Sequence, residues 1–181
     1  MGGITFTLPM RYGVQNPPNL DFFSFHAVWT KWGEIINGKD FAKDPRAVIS
    51  DFPGNSIDIL VTGNVKNGQT PEDWLKRNKA IYGKQEPSEY PDFNQIKNAN
   101  GRVFYYISKE KKYDLEKIYP IVIFCGPVPL EGNDPLSVQC ASSFRFKENT
   151  YIEYRFRKTY LKDGVKMYNA VKKFIQKMTV E

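Results

Sequence analysis

Gln139-Cys140-Ala141-Ser142-Ser143-Phe144-Arg145-Phe146 is followed by Lys147-Glu148-Asn149 and then by Thr150-Tyr151-Ile152-Glu153-Tyr154-Arg155-Phe156-Arg157. The second run alternates, with Ile152, Tyr154 and Phe156 on one side and Glu153, Arg155 and Arg157 on the other. Period two predicts a strand with a single buried face. A three-residue connection suits a hairpin with Asn149 in the left-handed conformation. Pairing Phe146 with Thr150 sets Phe144 opposite Ile152 and Ser142 opposite Tyr154, so the apolar sets of both strands share one face.

Upstream, Tyr119-Pro120-Ile121-Val122-Ile123-Phe124-Cys125 is a nearly continuous β-branched and aromatic run. A connection centred between Gly132 and Asn133 places Cys125 opposite Cys140 and Ile123 opposite Ser142. Pro120 lacks a ladder donor, which predicts a place at the strand start or on an edge. The two cysteines then permit one disulfide, and two buried free thiols are the other reading. Downstream, Met167, Val171, Phe174, Ile175 and Met178 recur at helical spacing, with Lys166, Lys172, Lys173 and Lys177 elsewhere on the surface. This predicts an amphipathic helix over the sheet, with Asp163 as N-cap and lysines suiting the C-terminal dipole.

The rest of the chain fits around this unit. Ile4-Thr5-Phe6-Thr7-Leu8 reads as a short first strand ending at Pro9. Residues 22–36 fit both a helical stripe and one strand face; their β-forming composition favours a strand or strand pair. Ala47-Val48-Ile49-Ser50 and Ile57-Asp58-Ile59-Leu60-Val61 flank Phe52-Pro53-Gly54-Asn55 and read as a hairpin. Thr70-Pro71-Glu72-Asp73-Trp74-Leu75 joins an N-cap threonine, a proline at the first helical position and acids in the first turn, and predicts a central helix up to Gly83. Residues 85–100 are polar and turn-rich and read as an irregular loop. Val103-Phe104-Tyr105-Tyr106-Ile107 reads as a strand, and Lys109-Glu110-Lys111-Lys112 as a charged turn.

Hairpins with segregated helices predict an α+β fold, an antiparallel β-sheet covered by a central helix and a C-terminal helix. With 181 residues, no repeat and no composition shift, residues 1–181 are expected to form a single domain. No run approaches the ~20 apolar residues that a membrane-spanning helix needs. Met1-Gly2-Gly3-Ile4-Thr5 has neither the basic nor the apolar region of a signal peptide, and Phe6 breaks the myristoylation pattern. Met1-Gly2-Gly3 is compatible with a removed leader.

This element order resembles the PsbP-like fold, including the bacterial DcrB-like proteins. The likeness rests on the strand ending at Leu8-Pro9, on Ile57–Val61 leading into Thr70-Pro71-Glu72-Asp73-Trp74-Leu75, and on the closing hairpin with Tyr168-Asn169-Ala170-Val171-Lys172-Lys173-Phe174-Ile175. The resemblance implies a PsbP-like α/β sandwich that serves binding rather than catalysis, often in the cell envelope. Small immunity proteins against secreted bacterial toxins, including type VI effectors, look similar in layout. No family site residue carries over.

The residues themselves point away from catalysis. His26 is the only histidine, which excludes multi-histidine metal sites and leaves one candidate for histidine-based acid–base work; a Cys–His dyad with Cys125 or Cys140 is one reading, a packed or surface histidine the other. The cysteines lack CxxC spacing, and neither a P-loop nor GxGxxG occurs. Glu72 and Asp73 are explained by first-turn dipole compensation. No catalytic residue, metal site or cofactor is therefore expected. The remaining candidate is the polar face carrying Arg145, Tyr151, Glu153, Arg155 and Arg157, read as a partner-binding surface. Its bland counterpart is a solvated face with cross-strand charge pairs.

The net charge of +6 favours an acidic partner without naming one. The expectation is a non-enzymatic binding protein of the bacterial periplasm or envelope, an immunity protein that neutralises a toxin. The alternatives are an envelope accessory or lipoprotein-type ligand-binding domain, a cytoplasmic location, and a single-stranded nucleic-acid binder using Arg145, Tyr151, Arg155 and Arg157.

Overall fold

The computed structural model describes residues 5–6, 22–29, 35–37, 56–63, 84–97, 103–114, 117–126, 138–147 and 150–180. Their strands are β1 (Thr5–Phe6), β2 (Phe22–Trp29), β3 (Ile35–Asn37), β4 (Ser56–Thr62), β5 (Glu86–Pro87) and β6 (Phe93–Lys97). There follow β7 (Val103–Asp114), β8 (Lys117–Cys125), β9 (Gln139–Lys147) and β10 (Thr150–Arg157). A 3-10 segment (Lys158–Asp163), the C-terminal helix α1 (Gly164–Met178) and β11 (Thr179–Val180) complete the order.

Nine strands form one antiparallel sheet in the order β3-β2-β4-β10-β9-β8-β7-β6-β5, while β1 pairs separately with β11. The chain from β5 to β10 is a plain meander. β10 then meets β4, which joins the meander to the β2–β3–β4 unit. The fold class is α+β, with α1 packed on one face of the sheet.

The alternation in the closing hairpin sets the register. Ile152 pairs with Phe144 and Tyr154 with Ser142, as the coincidence of apolar faces requires. The expected Phe146–Thr150 pair is not formed. Thr150 pairs with Lys147, and a bulge at Thr150/Tyr151 restores the register so that Tyr151 meets Arg145. The inner face collects Ile57, Ile59, Val61, Ile121, Ile123, Phe144, Ile152, Tyr154 and Phe156, all at most 2% exposed. α1 covers it with Met167, Tyr168, Val171, Ile175 and Met178. Phe174 is half-buried beside them, while Lys166, Lys173 and Lys177 are exposed. Tyr168 meets Phe144 edge-on, with ring centroids 5.2 Å apart.

The start of α1 is fixed by contact rather than by a cap. Asp163 occupies the N-cap position without a side-chain capping bond, and its carboxylate lies 3.9 Å from Lys166. Gly164 is buried there. A Cβ at this position would stand 2.7 Å from Ile123 Cδ1 and 3.0 Å from Phe93 Cζ, so only glycine lets the helix approach β6 and β8 this closely. At the other end the Thr179 hydroxyl donates to the Gln176 carbonyl at 2.8 Å before the chain turns extended into β11.

Within 22–36 the described residues form the antiparallel pair β2–β3, which bears out the strand-pair reading there; residues 30–34 lie outside the described residues. The neighbours of β4 are β2 and β10, which occupy both its edges; residues 47–50, expected to pair with it, lie outside the described residues. Outside them also fall the central helix expected over 70–82, Asn149 and the 127–137 connection.

Two expectations are corrected. The described part of 85–100, residues 85–97, is not an irregular loop: β5 and β6 pair with each other and β6 pairs with β7. The alternation was hidden because Phe93 and Ile96 point to opposite faces, each into a different apolar cluster. Ser88 ties the turn between them, its hydroxyl lying within hydrogen-bond reach of the Tyr90 and Phe93 carbonyls at 2.9 and 2.8 Å. Lys109–Lys112 is not a turn either: β7 runs through it with a bulge between Ile107 and Lys111. At the bulge the Ser108 hydroxyl accepts from the Ile121 amide at 2.7 Å and donates to the Glu110 carbonyl at 2.6 Å.

This geometry also accommodates Pro120, which pairs with Lys111 inside β8 rather than at its start. The Ile121 N–H points toward β7, so the ring of Pro120 stands where an N–H would point away from β7. On that side the β8–β9 ladder has not begun; it comprises Ile123–Ser142, Phe124–Ala141 and Cys125–Cys140.

Candidate functional site

Because Tyr154 and Phe156 are buried on the inner face, Glu153, Arg155 and Arg157 are presented on the outer one. Register brings them next to residues of both flanking strands. Tyr151 stands opposite Arg145 on β9 and Thr62 on β4; Glu153 opposite Ser143 and Leu60; Arg155 opposite Ala141 and Asp58; Arg157 opposite Gln139. All five residues singled out from the sequence thus share one face. Arg155 is exposed, and Arg145, Tyr151, Glu153 and Arg157 are half-buried.

The Arg155 Nε–H donates to Glu153 Oε1 at 2.7 Å along the strand. With 54% of the Arg155 side chain and 35% of the Glu153 side chain in solvent, the pair orients the guanidinium more than it stabilises the fold. Three arginines share the surface with two carboxylates, Glu153 and Asp58, so the face is mixed in charge rather than uniformly basic.

Two residues that sequence reasoning passed over belong to the same face. Phe124 pairs with Ala141 and is 39% exposed, the largest apolar exposure among the described residues. Its ring rests on Tyr105 at 5.3 Å between centroids. Behind it Ile96, Tyr105, Ile107 and Val122 form a second buried cluster on the outer side of the sheet. The signal was present: Ile121-Val122-Ile123-Phe124 does not alternate, and a continuous apolar run means that both faces are apolar there. Asp58 is the other, brought beside Arg155 by the β4–β10 pairing, which no local pattern announces.

The register pairs His26 with Asp58, whereas Cys125 and Cys140 are buried on the inner side. Cys125 Sγ and Cys140 Sγ are bonded to each other, 2.01 Å apart with Cα atoms 4.0 Å apart. A bridged pair leaves no thiolate for the Cys–His dyad. Among the described residues, no three His, Cys, Asp or Glu side chains converge as a metal site would require. No helix of the described residues is long and apolar enough to cross a membrane.

Two solved structures share this fold. One is an immunity protein of the Stenotrophomonas maltophilia type IV secretion system, with a TM-score of 0.55 at 13% identity over 100% of this chain and 92% of that one. The other is the iron-regulated outer membrane lipoprotein FrpD of Neisseria meningitidis, with a TM-score of 0.51 at 15% identity over 91% of this chain and 78% of that one. At these identities the likeness is one of fold. No protein-family model matches the chain, and no curated protein matches it in sequence.

Proposed function

We propose that this chain is a non-enzymatic binding protein, an immunity protein that binds and neutralises a secreted bacterial toxin. The observation that carries this reading is the outer face of β8, β9 and β10. It offers an exposed aromatic ring, an oriented guanidinium and flanking charges, held on a sheet whose strands are tied by a buried disulfide. These are contact chemistries: aromatic and arginine side chains carry most of the energy of protein interfaces. The fold shared with an immunity protein supports the class. That neighbour serves a type IV system, so the proposal is not restricted to type VI effectors.

Periplasmic or envelope placement goes with this reading. A structural disulfide persists in an oxidising compartment and is rare in the cytosol, which weighs against the cytoplasmic alternative. The outer membrane lipoprotein with the same fold supports an envelope setting, and with it the second reading of an envelope accessory domain. The nucleic-acid alternative is disfavoured by Glu153 and Asp58, which interrupt the cationic track that phosphates need.

Co-culture of a deletion strain with its parent tests the proposal. The deletion strain is expected to be eliminated by its siblings and rescued by this chain supplied in trans. Persistence at the parental ratio overturns the immunity reading, and an envelope defect without sibling killing favours the accessory reading.

A further inference from the structure

Along β9 the outer-face residues next to the β8 junction are small, Ala141 and Ser143. Ala141 pairs with Phe124 on one side and with Arg155 on the other. Strands lie about 4.8 Å apart, so the backbones at Phe124 and Arg155 stand about 10 Å from each other with Ala141 between them. The result is a shallow trough with one apolar wall and one cationic wall. Both walls are held before any partner arrives. Phe124 leans on the buried Tyr105, and Arg155 is oriented by its bond to Glu153. Groups already fixed lose less entropy on binding.

We propose that this trough is the seat of the toxin, and that it takes a protein segment presenting an apolar side chain beside a carboxylate. The apolar group lies over the Ala141 methyl against Phe124. The carboxylate reaches the terminal amines of Arg155, which the Nε bond to Glu153 leaves available. A purely acidic segment matches less well, because Glu153 lines the cationic side and repels a second carboxylate. A uniformly apolar segment leaves Arg155 desolvated and unmatched. The inference rests on the immunity reading and names its contact point.

Complementation of the deletion strain tests it. Phe124→Ala removes one wall, Arg155→Ala the other, and Ala141→Trp fills the trough. Lys173→Ala, on the exposed side of α1, serves as control. If the chain supplied in trans does not rescue, the immunity reading fails and the trough with it. If it rescues, each trough variant is expected to lower protection about 30-fold, the loss typical of an interface hot spot. Lys173→Ala is expected to protect fully. Because Arg155 is exposed, loss of protection by Arg155→Ala at an unchanged melting temperature separates binding from folding. Full protection by both Phe124→Ala and Arg155→Ala overturns the trough and leaves the immunity reading standing. Concentration-dependent dimerisation that Phe124→Ala abolishes assigns the trough to a second copy of the chain and equally overturns it.

Discussion

Cys125 and Cys140 are register partners at the end of the short ladder between β8 and β9, and their sulfurs are bonded. At the opposite end of the ladder, beyond the Ile123–Ser142 pair, the Ser142 hydroxyl donates to the Val122 carbonyl at 2.8 Å, so a side chain takes over where the main-chain ladder ends. One step beyond the cysteines, the Gly126 amide donates to the Gln139 carbonyl at 2.9 Å. The bridge therefore closes the junction between the half-sheet of β5–β8 and the half-sheet of β2–β4, β9 and β10.

Replacing both cysteines by alanine removes that tie. The expected loss is ~2–4 kcal/mol of stability, or roughly 4–16 °C in melting temperature for a chain of this size. Urea titration of the double variant against the oxidised parent measures it. Cys125 and Cys140 are 2% and 0% exposed, so the parent should resist a dithiol reductant until it is unfolded. Equal stability of the two proteins would show that the junction holds without the bridge.

Gly164→Ala trades a gain in helix propensity for a collision with Ile123 and Phe93. Both neighbours are fully buried and have little room to yield. Overpacking of this kind costs about 1–3 kcal/mol, against at most ~1 kcal/mol from propensity. A net decrease in the urea midpoint is expected; an increase would mean that α1 can lift off the sheet at no cost.

Ser108→Ala leaves the buried Ile121 amide without its acceptor at the β7 bulge. The cost expected is about 1–3 kcal/mol. Hydrogen exchange at Ile121 should accelerate more than at Ile123, which lies beyond the bulge. Uniform acceleration along β8 would contradict this local account.

How much was legible follows from these residues. Ile152, Tyr154 and Phe156 alternate because one face of β10 is buried, and that periodicity made the hairpin register and the arginine face legible; the opposition of Cys125 and Cys140 followed from centring their connection between Gly132 and Asn133. β6 was missed because Phe93 and Ile96 serve opposite clusters, which erases the alternation. The charged run through Lys109–Lys112 looked like a turn because a bulge, stitched by Ser108, lets a strand carry it. β11 has no sequence signal of its own, being set by its pairing with β1. Of the site, the five polar residues were visible locally. Phe124 and Asp58 depend on which strands become neighbours, and that information is tertiary.

Alkaline pH tests the buried tyrosines. Burial raises the Tyr154 hydroxyl well above its ordinary value of 10.0, with the neighbouring Ser142 hydroxyl acting in the opposite sense; burial raises Tyr106 as well. The folded state keeps the proton while the unfolded chain loses it. Their contribution is thus complete below pH about 10 and declines above it, by about 1.4 kcal/mol per pH unit for each group. The urea midpoint should fall more gently with rising pH in Tyr154→Phe than in the parent. Parallel curves would show that Tyr154 titrates normally in the fold.

The contact itself is measured most directly by photo-crosslinking in the rescued deletion strain. A photoreactive p-benzoylphenylalanine is placed at Phe124, at the edge of the trough, and in a second strain at Lys173 on α1. The probe at Phe124 is expected to trap one protein from the parent strain, this protein is expected to kill the deletion strain when purified, and the probe at Lys173 is expected not to trap it. Trapping of the toxic protein from Lys173 and not from Phe124 would place the contact on the helix and contradict the account.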